Sequence, residues 1–260
     1  MNQKKLAVIF IVLLIIVAPI SYFIYAYHEF SNVLNPGSPK ASSQYIVIYT
    51  PSAQFYVLTE EQYGKLLKEG TRPPTGSRIY NITVDSYITG SPEVDLNLTL
   101  RSMYDYFTIV LGDPSAENCK DNPQLYVGDC AYRTLVVSEI SGVVSNIFKT
   151  NYYLKGLEMG YDNATAKQYA YNQTWLRYRK VYLTFMTKFD IGRGKIGNPD
   201  HLVILIIGPA EGAKENRIFA PRRGVLVIEG VTDDTLRAEI TLIEKLIGFT
   251  WPSGEGNTTG

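Results

Sequence analysis

Apolar positions along this chain follow three different rhythms. The first is an unbroken run of 22 residues without a charge, LAVIFIVLLIIVAPISYFIYAY (6–27). As a helix it rises about 33 Å, enough for a hydrocarbon core of about 30 Å. Lys4 and Lys5 precede it and Glu29 is the first charge beyond it. This asymmetry predicts a cytoplasmic N-terminus, a transmembrane anchor over residues 1–27 and an extracytoplasmic remainder. Tyr22, Phe23, Tyr25 and Tyr27 read as an interfacial aromatic belt. A cleaved signal peptide would have a shorter apolar core, about 7–15 residues, so the length of the run favours an uncleaved signal-anchor. The polar stretch HEFSNVLNPGSPKASS (28–43) then reads as a linker.

The second rhythm is alternation and short runs. QYIVIYT (44–50), QFYVL (54–58) and residues 79–86 read as strands. HLVILIIG (201–208) and GVLVIEG (224–230) are continuous apolar runs, expected of strands covered on both faces. The third rhythm is helical. Thr59 with Gln62 three residues on forms a capping box for a short helix to about Lys68. Ser91-Pro92-Glu93 opens another, with Leu96, Leu100, Met103, Phe107 and Val110 on one face and Asp113-Pro114 at its end. Val136, Ile140, Val143 and Ile147 mark a further helix, ending near Gly156–Gly160. An aromatic stripe, Tyr171, Trp175, Tyr178, Tyr182, Phe185 and Phe189, predicts one more, starting at 162–163 and burying that stripe. Thr232 caps the last, lined by Leu236, Ile240, Ile243 and Ile247. Together these predict an N-terminal transmembrane helix followed by one mixed α/β (or α+β) domain over 44–249, with a flexible tail at 250–260.

Charge alters this picture little. The chain holds 25 basic and 25 acidic residues. With Lys4 and Lys5 set aside, 23 against 25 leaves −2 outside, which is no footprint for nucleic acid. Two features agree with an oxidising, glycosylating compartment. Cys119 and Cys130 are the only cysteines, close enough to read as one disulfide. Asn81, Asn97, Asn163, Asn172 and Asn257 each head an Asn-x-Ser/Thr sequon.

Candidate chemistry is sparse. GRGKIG (192–197) has the spacing of a dinucleotide-binding turn, but Asn198-Pro199-Asp200 and a strand follow it. No helix N-terminus is available to face a pyrophosphate. The glycines read instead as a turn joining a long helix to a central strand. The only histidines, His28 and His201, form no metal-spaced or triad motif, so neither cofactor nor metal is expected. The richest functional stretch is the expected loop GPAEGAKENRIFAPRRG (208–224), leaving the carboxyl end of an apolar strand. Its Lys214, Arg217, Arg222 and Arg223 suit an anionic ligand or an envelope protein partner. The leading expectation is a non-enzymatic surface interaction or accessory protein. The alternatives are an extracytoplasmic hydrolase with a carboxylate pair drawn from Asp190, Asp200, Glu211 and Glu229, and a pilin-like or virion surface subunit.

Overall fold

The structure, a computed structural model, describes residues 3–112, 129–175 and 178–248; the side chains of 3–14, 129–134, 175, 178 and 210 fall outside that description. The described chain is a mixed α/β fold with one eight-stranded sheet and seven helices. In chain order these are α1 (Gln3–Leu34), β1 (Ala41–Tyr49), β2 (Phe55–Thr59), α2 (Glu60–Lys68), β3 (Arg78–Ser86), α3 (Pro92–Leu100), β4 (Tyr106–Leu111) and α4 (Asp129–Glu158). Then come α5 (Asn163–Trp175), β5 (Tyr178–Tyr182), α6 (Phe185–Gly192), β6 (His201–Ile207), β7 (Arg217–Arg222), β8 (Val225–Glu229) and α7 (Asp233–Ile247). The sheet order is β2-β1-β3-β7-β8-β6-β4-β5. β8, β6, β4 and β5 run parallel, and β7 is antiparallel to β8 but parallel to β3. β1 is antiparallel to both its neighbours.

The two apolar runs are β6 and β8, and each is covered on both faces. Leu202, Ile204 and Ile206 enter a core shared with α3, α4 and α7. Val203 and Leu205 enter a second core with Phe30 and Val33 of α1 and Ile191 of α6. The Thr59–Gln62 capping box forms in both directions. Thr232 caps α7, whose Leu236, Ile240, Ile243 and Ile247 are buried.

Four expectations are corrected. Residues 106–111 do not continue a helix from Leu96. α3 stops at Leu100, and YFTIVL forms β4, with Phe107, Ile109 and Leu111 in one core and Val110 in the other. The aromatic stripe is not one helix: it is cut into α5, β5 and α6. Tyr171 and Phe185 are exposed, while Phe189 is buried against α1. β5 forms because its residues 178–182 pair in parallel with β4, and sheet pairing overrides helical periodicity here. The glycine turn at 192–197 therefore joins a helix of only 8 residues to β6. Finally, the linker expected at 28–43 is instead the last turns of α1 and then the entry to β1.

α1 settles where the second half of the apolar run goes. Among the described residues no helix is long and apolar enough to cross a membrane; residues 6–14, which begin the run, have no described side chains. Residues 15–25 are exposed, whereas Ala26, Phe30 and Val33 are buried in the domain. A Cβ on Gly192 would lie 1.8 Å from the Ala26 carbonyl oxygen, so glycine lets α6 approach the α1 backbone.

One core residue runs against the fold. Glu239 of α7 is fully buried and neither carboxylate oxygen has a hydrogen-bond partner among the described residues. Burial, with a smaller contribution from the Glu229 charge, holds its pKa well above the ordinary carboxylate value. The folded state therefore keeps a proton that the unfolded state releases above about pH 4.3. From that pH upward, the group costs stability increasingly until it ionises in the folded state. Glu239→Leu is expected to stabilise the domain by about 1–3 kcal/mol at neutral pH and by less near pH 4. Urea unfolding at the two pH values measures this.

Candidate functional site

The connections of the parallel strands diverge at β4 and β6. β4 leads through α4 and α5 to β5 on one side, and β6 leads through β7 to β8 on the other. In open α/β sheets such a divergence leaves a crevice at the carboxyl ends of the strands, where ligands sit. Here three neighbouring strands, β4, β6 and β8, are each followed by glycine: Gly112, Gly208 and Gly230. A Cβ on Gly112 would lie 2.1 Å from Glu211 Cγ, and one on Gly230 would lie 2.9 Å from Leu236. Glu211 ends a single 3-10 turn, Pro209–Glu211, and folds back so that the Gly208 N–H donates to its Oε2 at 2.7 Å. The chain's own carboxylate therefore lies across the crevice, and an anion placed there would meet like charge.

A larger cavity, about 340 Å³, opens at the same sheet edge. The end of α1 (Leu34, Asn35), Ile207, the 211–217 segment and Glu229 line it. Its polar groups are partly spent on one another. Arg217 Nε donates to Glu229 Oε2 at 2.7 Å, and the Lys214 backbone N–H donates to Glu229 Oε1 at 3.0 Å. The Arg217 guanidinium stacks 4.7 Å from the Phe219 ring centroid and donates to the Leu34 carbonyl at 3.5 Å. That carbonyl is one of the unpaired acceptors at a helix C-terminus. Lys214 and Glu215 are exposed at the rim, and Lys214 Nζ has no partner among the described residues.

The expected cationic loop is divided. Residues 208–224 are the 3-10 turn, a short bend and β7, a strand in the middle of the sheet. Lys214 and Arg217 lie at the cavity. Arg222 and Arg223 lie at the opposite sheet edge, roughly 17 Å away along a strand rising about 3.3 Å per residue. Arg222 is structural, donating to the carbonyls of Ile191 at 2.6 Å and Gly197 at 3.2 Å. Pro221 made this stretch read as a loop; it sits where the β7–β8 register shifts between Phe219 and Arg222, a place that tolerates proline.

Of the four acids considered for carboxylate chemistry, Glu211 and Glu229 share the cavity, while Asp190 and Asp200 flank the turn before β6 at the other edge. Both Glu229 oxygens are already engaged, which disfavours it as a catalytic acid or nucleophile. GRGKIG is a turn with Gly194 and Gly197 at φ 72° and 70°, followed by β6; no helix begins there. No group of three metal-ligating side chains occurs among the described residues. Cys119 and Asn257 lie outside the described residues, as does the Cys130 side chain at the start of α4, so the disulfide and the last sequon fall there too. The sequence reading missed Leu34, Asn35 and Gly112; the repeat of strand-then-glycine at 112, 208 and 230 was a usable signal. Comparisons with known protein families, with characterised proteins and with solved structures find no match.

Proposed function

We propose that this protein is a single-pass, membrane-anchored, non-enzymatic binding module. Its extracytoplasmic domain engages a protein partner at the carboxyl edge of the parallel strands, on the side away from the bilayer. The observation that carries this reading is the continuity of α1. The helix runs from the uncharged stretch into the domain core without a break, with Ala26, Phe30 and Val33 buried. Cleavage near residue 27 would cut a helix that the domain packs around, which favours an anchor over a signal peptide. Because Leu34 reaches the 340 Å³ cavity and Gly192 meets Ala26, α1 leaves the domain from the opposite edge, and the cavity faces outward.

The cavity lining holds three carboxylates, Glu211, Glu215 and Glu229, against Lys214 and Arg217. That balance does not favour a free anion. It suits a partner surface carrying both charges, with Lys214 and Glu215 at the rim as its contacts: Lys214 Nζ has no partner among the described residues, and Glu215 is exposed and held only by Arg217 Nε at 3.9 Å. A photo-crosslinking residue in place of Lys214 is expected to give discrete adducts in native membranes, whereas one in place of the exposed Lys68 of α2 is not. Equal labelling, or none, at both positions would contradict the reading.

Glycosylation fits unevenly. Asn81, Asn163 and Asn172 are exposed. Asn97 is half-buried in α3, where its amide donates to the Glu93 carbonyl and its oxygen accepts from Arg101. Peptide mapping is expected to find glycan on the first three and an unmodified Asn97.

A further inference from the structure

α6 lies across α1 where that helix leaves the domain. Gly192 and Lys188 meet the 26–30 turn, while Phe185 and Phe189 meet residues 22–27. Phe189 packs 4.6 Å from the Phe23 ring and Phe185 stacks at 6.1 Å. Yet Phe185 and Met186 are 57% and 58% exposed, and Phe23 and Tyr27, against which Phe185 stacks, are 42% and 47% exposed. These residues form one apolar surface, continuous with the apolar run of α1, and such surfaces mark contact sites. Cations border it. Lys188 lies 6.0 Å from the Tyr27 ring centre, and Arg193 and Lys195 are exposed on the following turn. Asp190 is the single acid between Phe185 and Lys195, and it already bridges Arg193 and Lys195 at 3.9 and 3.6 Å.

We infer that α6 and the turn through Lys195 form a foot seated in the headgroup layer of the bilayer. Phe185 and Met186 enter the acyl boundary, and Lys188, Arg193 and Lys195 face anionic phospholipid headgroups. This rests on α1 being a membrane anchor. Apolar side chains flanked by Lys and Arg are the composition of an interfacial helix, and aromatic residues at the bilayer surface supply its continuation on α1. The turn with dinucleotide-like spacing thereby acquires a role: its glycines hold two cations at the membrane surface.

The test uses the full chain in phosphatidylcholine vesicles, with and without phosphatidylglycerol. Flotation through alkaline carbonate reads the anchor. Quenching of Phe185→Trp by a nitroxide-headgroup lipid, above that of the parent chain, reads the foot, with Met186→Trp as an independent second probe. The expected result is flotation in both lipids, with extra quenching of both probes that grows with phosphatidylglycerol. Arg193→Glu with Lys195→Glu should return the quenching to its level in neutral vesicles, each lost cation shifting the seated-to-free ratio about fivefold. A chain that floats while neither probe is quenched beyond the parent overturns the foot alone. Quenching that is blocked equally in both lipids, as a covering partner helix would cause, overturns it as well. A chain that does not float overturns the anchor and the foot with it.

Discussion

Asp95→Ala is expected to lower stability by about 3–5 kcal/mol. Asp95 is fully buried at the start of α3, and five donors converge on it. Its Oδ2 accepts from the Ser86 hydroxyl at 2.7 Å and from the N–H groups of Tyr87 and Ile88 at 2.9 Å. Its Oδ1 accepts from the Thr89 N–H at 2.9 Å and hydroxyl at 2.6 Å. One carboxylate thus satisfies the backbone of the whole β3–α3 turn, while Ser91, the residue placed to cap the helix, makes no side-chain cap. Burial alone would raise the Asp95 pKa, but these donors, the Thr89 hydroxyl foremost, hold it below the ordinary value. The folded state therefore keeps the group ionised where the unfolded chain, titrating near pH 3.9, has taken up its proton. The stabilisation is complete above that pH and is lost as pH falls through the folded value. Denaturant unfolding should show a large gap between parent and Asp95→Ala at pH 7, narrowing below about pH 4. A gap that does not change with pH would mean the carboxylate acts only by filling space.

Gly192→Ala is expected to destabilise the domain by about 1–3 kcal/mol and to loosen α1 from it. The clash is with main chain, 1.8 Å from the Ala26 oxygen and 2.8 Å from its carbon, and it cannot be relieved by a side-chain rotation. One helix must move, and the short α6 is pinned on its far side by Arg222 donating to the Ile191 carbonyl. Hydrogen exchange should therefore rise across residues 26–34 of α1 more than in α7, which packs on the other face of the sheet. A uniform rise would mean that α1 and the domain come apart only on global unfolding.

How far the sequence could be read depended on whether local pattern and tertiary role agreed. β6, β8, α2 and α7 were legible because their periodicities and caps had one interpretation. β4 was not. Met103, Phe107 and Val110 happen to fall at helical spacing, although Phe107, Ile109 and Leu111 alternate as a strand, and only pairing with β6 and β5 decides between the two. β7 was hidden by Pro221. The end of α1 was hidden by polar neighbours, although Ala26, Phe30 and Val33 already stood at the spacing of one helical face. For the candidate site, the stretch after the apolar strand does begin at the carboxyl end of β6 and borders a cavity, but four cations close in sequence were sorted to two edges by an intervening strand. Charge clustering along a chain says nothing about clustering in space once six of the residues are extended.

In the proposed function, α1 passes intact from a bilayer into the domain. The most direct measurement is the intact mass of the protein isolated from its own membrane. A chain that retains residues 6–27 is the predicted result. A mature chain beginning at or beyond residue 27 would contradict it, because the helix that Gly192 packs against would have lost the half proposed to lie in the membrane, and the proposed outward placement of the cavity would fall with it.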